Sequence, residues 1–391
     1  MHLSGIIPKL TGAEPFIARI AESGSAHDTH EVLVVRGDEP VSGNGFRCVL
    51  RIGKPRADEI PIPNTLEYLS AGDIVRVNRH AGEIRVLYRR SSPHNVLFFT
   101  ERCNSRCLMC SQPPRVINDG YLVEEILEAI PLMSPNTREL CITGGEPTLL
   151  GKKFMEVLES TKRWLPKTRL HVLSNGRLFS PEFTCRMAAI RHPDLMIGIP
   201  LYSDVASKHD FVVQAKGAFD ETLRGIMNLE RCKQRVEIRF VIHKQTFGRL
   251  PQTARFIARN IPFVDQVALM GLEMMGFTKT NLDALWIDPV EYQPQLREAV
   301  SELSGSHLKV MIYNHQLCIL DRELWPFARR AISDWKNIYV AECQQCTLRT
   351  DCGGFFASAP VRYSSHIKAF RETTDEALSS CQLSHSSMHD S

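Results

Sequence analysis

Apolar and polar positions alternate in two different ways along the chain, and the change comes near residue 92. Up to that point the chain carries short β-branched runs, among them HEVLVVRG, FRCVLRIG and GDIVRVNRHAGEIRVLYRR, separated by Gly, Pro and Asn. Such runs predict β-strands, and residues 79–82 are expected to turn a hairpin. Residues 1–92 are therefore expected to form a small β-rich domain, either a barrel or a sandwich.

From residue 93 to 305, compact apolar runs alternate with longer amphipathic stretches. The apolar runs are NVLFFTE, RELCITGG, RLHVLSNG, LMIGIPLYS, VEIRFVIH and VDQVALMGLE. Continuous apolar runs of this kind are typical of buried parallel strands. Six strand–helix units in sequence predict an α/β fold, in which a parallel sheet with right-handed crossovers curls into a partial (β/α)6 barrel like part of a TIM barrel. In such folds the chemistry lies where strands end and loops begin.

The alternation fades after residue 305. Residues 306–362 contain a cluster of cysteines and are expected to form an irregular extension braced by a cofactor. Residues 363–391, which end in LSSCQLSHSSMHDS, are rich in Ser and His and poor in apolar side chains. This composition predicts a flexible tail.

Composition limits the class of protein. A chain of 391 residues predicts two or three folding units. Its net charge of +3 argues against a nucleic-acid partner recognised by bulk electrostatics. No apolar run approaches the length that spans a bilayer, and the start MHLSGIIPKLTGAEPF lacks the pattern of a signal peptide. We expect a cytoplasmic protein without a membrane partner.

Twelve cysteines need an explanation, because the cytosol keeps thiols reduced and makes structural disulfides rare. Cys103, Cys107 and Cys110 form a CxxxCxxC motif directly after the first predicted barrel strand. Thiolates hold iron–sulfur clusters, and three of them leave one iron of a four-iron cluster with an open position. Zinc is the alternative, but a closed zinc site takes four ligands, and the nearby candidate His94 lies at the opposite end of the predicted strand.

Outside the two clusters the cysteines are scattered, and most of them are expected to be inert core residues. The scattered cysteines are Cys48, Cys141, Cys185, Cys232, Cys318 and Cys381.

The CxxxCxxC motif after a strand, followed by Gly144, Gly145, Glu146 and Pro147 at the end of the next strand, resembles the signature of the radical S-adenosylmethionine (radical SAM) enzymes. This resemblance implies that the three cysteines are catalytic and hold a [4Fe–4S] cluster with one open iron. It also implies that the Gly-Gly-Glu segment binds the methionine amino group of S-adenosylmethionine. Glycines permit a close backbone approach, and the Glu side chain supplies an acceptor for an ammonium group.

The resemblance covers residues 95–305 and includes further strand ends. Ser174 and Asn175 resemble the ribose-contacting segment of the family, and Ser203 and Arg239 occupy positions where relatives contact the ribose and the carboxylate. For Arg239 a structural pairing with a buried carboxylate stays open. The implied reaction is reductive cleavage of S-adenosylmethionine to methionine and a 5′-deoxyadenosyl radical, which abstracts a substrate hydrogen.

One further pair in the barrel has two interpretations. His209 and Asp210 follow the fourth predicted strand, where they could transfer a proton. Loop His and Asp residues are also frequent turn and capping residues, and this structural interpretation is favoured.

The second cluster, Cys343, Cys346 and Cys352, has the spacing CxxCxxxxxC and needs a fourth ligand to close a site. It resembles the auxiliary-cluster extensions of radical SAM peptide-modifying enzymes, which implies one additional [4Fe–4S] cluster. Zinc stays open as the alternative, because four thiols suit both metals. The candidates for the fourth ligand are, in order of preference, Cys318, Cys381 and His315.

Taken over most of its length, the chain resembles the C-type radical SAM maturases of His-Xaa-Ser repeat peptide systems. The residues that carry this resemblance are FFTERCNSRCLMCSQPPR, the NHQLC segment and ISDWKNIY, together with the N-terminal β domain. The resemblance implies a ribosomally made precursor peptide as substrate, and we assign capture of that substrate to the β domain. It further implies an external electron donor such as flavodoxin or ferredoxin, and a second radical SAM maturase as partner. Two alternatives stay open: modification of a small molecule or a tRNA base, and a non-catalytic iron–sulfur or zinc module that binds a peptide.

Overall fold

The computed structural model describes residues 3–21, 28–330, 338–356 and 361–371. The strands are β1 (Ser4–Ile6), β2 (Phe16–Ile20), β3 (Glu31–Arg36), β4 (Val49–Ile52), β5 (Ile60–Ile62), β6 (Ile74–Asn78), β7 (Glu83–Tyr88), β8 (His94–Phe98), β9 (Glu139–Thr143), β10 (Arg169–Leu173), β11 (Leu195–Pro200), β12 (Arg235–Ile242), β13 (Gln266–Gly271) and β14 (Lys309–Tyr313). The helices are α1 (Tyr121–Ala129), α2 (Lys152–Trp164), α3 (Pro181–Ala189), α4 (Ala206–Val213), α5 (Ala218–Arg231), α6 (Leu250–Asn260), α7 (Phe277–Thr280), α8 (Leu282–Leu285) and α9 (Gln293–Gly305).

The N-terminal β-rich segment forms one mixed sheet with strand order β1-β7-β6-β2-β3-β4-β5. Its β6–β7 hairpin turns through residues 79–82, as the sequence predicts, and pairs Asn78 with Glu83. A side chain added at Gly5 in β1 would lie 2.5 Å from Pro63, which directly follows β5. The two ends of the sheet therefore pack against each other, so that the sheet curls around its own apolar core.

The second sheet runs β14-β13-β12-β11-β10-β9-β8, with every neighbouring pair parallel. The predicted α/β fold with a partial barrel is thus confirmed. The sheet has a seventh strand, β14, in the segment that the sequence analysis assigned to the extension. Its apolar KVMIY run pairs with β13, placing Val310 beside Val267. The barrel sheet therefore continues past residue 305.

The two faces of this parallel sheet differ in polarity, because successive side chains of a strand point to opposite faces. One face packs into a continuous apolar core with the surrounding helices. From the sheet, that core takes Leu140, Ile142, Leu170, Val172, Ile197, Ile199, Val236, Ile238, Phe240, Val267, Leu269, Val310 and Ile312. The alternate positions include the buried polar residues His171 and Glu237 and the half-buried Arg239. The inner face of the partial barrel therefore carries buried polar side chains.

The N-terminal sheet is fixed to the outer helix layer of the barrel by polar contacts. Glu125 on α1 forms ion pairs with Arg76 of β6 and Arg85 of β7. The Tyr88 hydroxyl and Thr137 Oγ1 share a buried hydrogen bond of 2.8 Å. The N-terminal domain thus lies against α1 and the turn that leads into β9.

The C-terminal extension reaches further than the sequence boundary at residue 363 indicates. Ser364 and Ile367 are buried, and the Phe370 ring packs edge-on against Trp325 at 5.5 Å between centroids. Residues 363–371 therefore pack against the rest of the extension. The remainder of the expected tail, including Cys381, lies outside the described residues. Within the described ranges, no helix has the length and apolar character needed to cross a membrane.

Candidate active site at the carboxyl edge of the barrel

The loop that carries the first three cysteines leaves the carboxyl end of β8 and is held by a buried carboxylate. Asp119, 1% exposed, accepts hydrogen bonds from Thr100 Oγ1 at 2.7 Å and from the Glu101 amide at 2.6 Å. Its other oxygen accepts from Arg102 Nε at 3.1 Å. Asp119 therefore fixes the three residues that directly precede Cys103. No sequence motif points to Asp119.

The opposite side of the cysteine loop is covered by the segment that follows β13. The Phe277 amide donates to the Cys110 carbonyl at 2.8 Å, and Thr278 Oγ1 donates to the Met109 carbonyl at 3.2 Å. Thr278 is fully buried. The loop is thus held between the ends of β8 and β13.

The Gly-Gly-Glu segment after β9 pairs with the same loop through its backbone. The Gly145 amide donates to the Thr100 carbonyl at 2.7 Å, and the Glu146 amide donates to the Arg102 carbonyl at 2.8 Å. A Cβ at Gly145 would lie 2.1 Å from the Arg102 carbonyl oxygen, and Gly144 has φ +138°. Both positions require glycine, because the cysteine loop packs directly on this backbone.

Glu146 is fully buried and joins the turns after β9 and β10. Its Oε1 accepts from the Thr148 amide at 3.0 Å and from Ser174 Oγ at 2.8 Å, and its Oε2 accepts from the Asn175 amide at 2.6 Å. Burial raises the pKa of the Glu146 carboxyl, and these hydrogen bonds oppose the shift. Its predicted contact with the amino group of S-adenosylmethionine stays a prediction, for which Oε2 has further acceptor capacity.

The turn after β10 is tied to the cysteine loop by side chains. Asn175 Nδ2 donates to Asn104 Oδ1 at 2.6 Å and lies 3.9 Å from Cys103 Sγ. Arg177 donates to the Asn104 carbonyl and pairs with Glu221 of α5 at 2.6 Å. The structure therefore brings the predicted cosubstrate residues Ser174 and Asn175 to the first cysteine cluster.

Ser203, in the loop after β11, and Arg239, on β12, both already make hydrogen bonds within the protein. Ser203 is 2% exposed, and its Oγ accepts from the Val205 amide at 3.1 Å, in the turn before α4. Arg239 Nη1 donates to Glu237 Oε1 at 2.5 Å. The structural pairing left open for Arg239 is thus present, and contacts of both residues with S-adenosylmethionine stay predictions.

The three thiols of the first cluster lie in an environment that disfavours their charge. Burial raises the pKa of Cys103 to about 11 and that of Cys107 to about 12, and each is raised further by the neighbouring Cys110. Thiolates are the metal-binding form, so loading a cluster must release protons here. In the part of the chain that the structure describes, no three His, Cys, Asp or Glu side chains converge closely enough to hold a metal ion as they stand.

Comparison with known proteins agrees with this geometry. Residues 97–257 match the family model described as the Radical SAM superfamily. This part of the chain is a radical SAM domain. It contains the cysteine loop and the turns after β9, β10 and β11.

Similarity to individual proteins is limited to part of each chain. Over 155 residues the chain is 28% identical to Fe-coproporphyrin III synthase of Methanosarcina barkeri, covering 39% of this chain and 37% of that protein. Over 131 residues it is 30% identical to a probable GTP 3′,8-cyclase of Methanocella arvoryzae, covering 32% and 40%. A crystal structure of Streptococcus suis SuiB bound to S-adenosylmethionine gives a TM-score of 0.47 at 13% identity, covering 58% of this chain and 52% of that one. The chain thus spans about two fifths of the length of these two curated relatives.

Beyond the radical SAM domain, the structure gathers the second set of cysteines around one small cavity. This cavity of about 300 Å³ is lined by all four residues proposed for the auxiliary site. These residues are Cys318, Cys343, Cys346 and Cys352. The first choice for the fourth residue is thereby placed with the other three, whereas Cys381 lies outside the described residues.

Two features of this second site bear on its ligands. The amides of Leu317 and Gly354 both donate to Cys352 Sγ at 3.5 Å. Backbone N–H groups aimed at a sulfur stabilise its thiolate, the form that binds iron or zinc. His315 is engaged elsewhere, since its Nε2 pairs with the Tyr292 hydroxyl at 2.9 Å and its Nδ1 with the Tyr313 carbonyl at 2.8 Å. The donor set therefore fits a four-thiolate site without His315.

A larger cavity of about 700 Å³ opens where the carboxyl ends of β12, β13 and β14 meet the extension. One wall of the cavity is formed by residues 271–274, which lead to Gly276, and Gly276 packs on the Cys110 carbonyl. The opposite wall includes Gly354, two residues after Cys352. The cavity therefore lies between the two cysteine sites. Its lining residues include Glu273, Met274, Trp286, Asn314, Phe355 and Arg362.

His209 and Asp210 have structural roles, as favoured from the sequence. His209 is 1% exposed, and its Nδ1 accepts from the Tyr202 amide at 3.2 Å. Asp210 accepts from the Gly217 amide at 2.6 Å and from the Phe219 amide at 2.9 Å, at the start of α5. Both side chains hold local backbone and are not free for proton transfer.

Proposed function

We propose that the protein is a radical SAM enzyme that cleaves S-adenosylmethionine reductively and uses the radical to modify a ribosomally made peptide. The observation that carries this proposal is the joint placement of Cys103, Gly145 and Asn175. All three belong to segments hydrogen-bonded to one another at the carboxyl edge of a parallel sheet. A cluster-binding loop and a cosubstrate-binding edge are what the reaction requires.

Different residues would bind the cluster and the cosubstrate of this reaction. Cys103, Cys107 and Cys110 would hold the cluster, and the turns at Glu146 and Asn175 would orient the cosubstrate beside it. When bound, the cluster and S-adenosylmethionine supply one-electron cleavage of a carbon–sulfur bond, giving methionine and a 5′-deoxyadenosyl radical. The electron comes from an external low-potential carrier such as flavodoxin or ferredoxin.

The chain itself supplies positioning and exclusion of water. Asp119 and the segment after β13 fix the cysteine loop from two sides, so the cluster-binding residues are held before the cosubstrate arrives. Fixed dipoles in such a site cost no reorganisation during reaction. Ser203 and Arg239 would contact the ribose and the carboxylate of the cosubstrate, and the polar side chains of the inner face accommodate those groups.

For the substrate, we assign the cavity between the two cysteine sites. Its aromatic walls, Trp286 and Phe355, suit apolar parts of a side chain, and Glu273 and Asn314 offer polar contacts. The sequence resemblance to peptide maturases favours a peptide there, with the N-terminal sheet assisting capture, an auxiliary [4Fe–4S] cluster on the four C-terminal cysteines, and a second maturase as partner. A small molecule is the second candidate, because both curated relatives carry the names of enzymes of small molecules.

The cleavage step is tested on protein reconstituted anaerobically with iron and sulfide. Dithionite and S-adenosylmethionine are added without any substrate, and 5′-deoxyadenosine is measured. Wild type should form it, Cys107→Ser should not, and Cys48→Ser, whose thiol lies in the N-terminal sheet, should match wild type. Equal product from Cys107→Ser and wild type would refute the catalytic assignment.

The substrate class is tested with synthetic peptides that contain His-Xaa-Ser repeats, deuterated at carbon. Transfer of deuterium into 5′-deoxyadenosine, with a mass change in the peptide, supports a peptide substrate. A composition-matched scrambled peptide and GTP serve as comparisons. Transfer from neither peptide, together with active uncoupled cleavage, would contradict a peptide of this class while leaving the cleavage reaction standing.

A further inference from the structure

Two of the scattered cysteines meet on the outer surface of the barrel, away from both cysteine clusters. The Sγ atoms of Cys185 and Cys232 are 3.5 Å apart, although 47 positions separate the residues in sequence. Cys185 lies on α3 and is exposed, and Cys232 caps the end of α5 and is half-buried. Cys185 is therefore not one of the buried core thiols expected at most of the scattered positions.

We propose that Cys185 and Cys232 form a redox modification site: a dithiol that closes to an intramolecular disulfide when an oxidant takes two electrons from it. The bond length of a disulfide is about 2.05 Å, so the two sulfurs must approach by about 1.5 Å from their present separation. The exposed thiol of Cys185 gives an oxidant access.

The chemistry is thiol–disulfide exchange with a small disulfide. The Cys185 thiolate attacks one sulfur of the oxidant, forming a mixed disulfide and releasing one oxidant thiol. The Cys232 thiolate then attacks the Cys185 sulfur and releases the second oxidant thiol. Two protein thiols have lost two protons and two electrons, and the small disulfide has become two thiols.

The surroundings favour an anionic oxidant such as glutathione disulfide. Arg186 follows Cys185 directly and Arg231 precedes Cys232, whereas the Lys233 ammonium group pairs with Glu230 at 2.7 Å. The two arginines attract the carboxylates of glutathione to this part of the surface. The resulting mixed disulfide at one cysteine would lie within reach of the other thiol.

The bond would join two helices that support the candidate active site. Thr222 of α5 donates to the Asn175 carbonyl at 3.0 Å, and a Cβ at Gly225 of α5 would lie 1.9 Å from the Gly176 carbonyl oxygen. Asn228 of α5 donates to the Phe179 carbonyl at 2.9 Å, just before α3. Closing the disulfide therefore covalently links the two helices on either side of the turn that holds the cysteine loop.

The test treats the full chain with glutathione disulfide, blocks free thiols with iodoacetamide and maps the peptides by mass spectrometry without reduction. We expect a linked peptide pair containing Cys185 and Cys232, which dithiothreitol returns to two free thiols. The linked form should also melt at a higher temperature than the reduced form, because a cross-link restricts the unfolded chain.

Two variants make the result specific. Cys185→Ser should lose both the linked pair and the oxidant-dependent rise in melting temperature, whereas Cys48→Ser should keep both. Full alkylation of Cys185 and Cys232 after oxidation would overturn the proposal, and so would an oxidant-dependent rise in melting temperature that persists in Cys185→Ser. None of these readouts depends on a bound cluster or on catalytic activity.

Discussion

Asn175 and Asn104 are joined by a hydrogen bond of 2.6 Å, although 71 positions separate them in the sequence. One belongs to the turn after β10, and the other lies between the first two cysteines of the CxxxCxxC motif. The contact sets the position of the cysteine loop relative to a predicted cosubstrate residue. The positions of Cys103 and Asn175 are therefore coupled, because a shift of one segment moves the other.

Removing this hydrogen bond should lower the affinity for S-adenosylmethionine without unfolding the domain. Asn104→Ala deletes one side-chain hydrogen bond, worth about 1 kcal/mol, which corresponds to a roughly fivefold weaker hold on S-adenosylmethionine. The measurement is the dissociation constant for S-adenosylmethionine on reconstituted protein. Asn136→Ala, at an exposed loop position, is the matched control and should bind as wild type does. Equal affinity of both variants would show that the contact does not position the loop.

Substitution of Glu146 should lower the free energy of unfolding, because four protein donors converge on its buried carboxylate. Glu146→Gln replaces one acceptor oxygen with an NH₂ group, which leaves a buried donor opposed by another donor. The expected loss is about 1–3 kcal/mol in the free energy of unfolding, measured by urea denaturation. Glu159→Gln, exposed on α2, should change the same free energy by less than about 0.5 kcal/mol. A Glu146→Gln protein as stable as wild type would contradict the bridging role.

Gly145→Ala should displace the cysteine loop, since the new methyl group would meet the Arg102 carbonyl oxygen at 2.1 Å. The two nearest atoms belong to the Arg102 backbone, which cannot move aside as the end of a flexible side chain could. We expect incomplete iron incorporation on reconstitution and a lower melting temperature. Gly305→Ala, where nothing lies within 4 Å of the added carbon, is the control and should load iron normally. Normal iron loading by Gly145→Ala would show that the close approach is not required.

The parallel barrel and the position of the candidate site residues at its edge could be predicted from the sequence, because both depend on local patterns. Apolar runs define the strands, and CxxxCxxC and Gly-Gly-Glu are contiguous motifs. Asp119 was missed because its role depends on folding of the loop back onto Thr100, which no local pattern specifies. The pairing of Cys185 with Cys232 was missed for the same reason, since helix packing alone brings them together.

The strand β14 has a local strand pattern, yet the sequence places it outside the barrel. Its KVMIY run has the composition of a strand, but the cysteines that follow it drew residues 306–362 into a separate extension in the sequence analysis. Pairing with β13 decides that it completes the sheet. Where a domain ends depends on long-range strand pairing, and composition alone does not fix it.

The second cysteine site yields a prediction about metal content. Cys318→Ala should remove one ligand of the proposed auxiliary cluster and lower iron from roughly eight to roughly four per chain. Formation of 5′-deoxyadenosine without substrate should persist, because the first cluster is intact. Cys381→Ala is the comparison and should retain all the iron. Loss of zinc with unchanged iron would contradict an iron–sulfur site there, and loss of iron in Cys381→Ala alone would make Cys381 the fourth ligand.

Acid should destabilise the fold through histidines that are buried without charge. Burial lowers the pKa of His209 to about 4, and Asp210 opposes this shift only in part. In the unfolded chain a histidine has a pKa of about 6.5, so between these values the unfolded state binds more protons. The stability contributed by neutral His209 is therefore fully present above about pH 6.5 and is lost as the pH falls towards 4.

This group alone should lower the free energy of unfolding by about 3 kcal/mol between pH 6.5 and pH 4. His209→Gln retains an acceptor for the Tyr202 amide but does not titrate, so its unfolding free energy should fall less steeply over this range. His80→Gln, exposed in the β6–β7 hairpin, should keep the slope of wild type. The measurement is urea denaturation at intervals from pH 7 to pH 4. A slope unchanged in His209→Gln would mean that His209 already carries its proton in the folded protein, and would contradict a buried neutral ring that accepts at Nδ1.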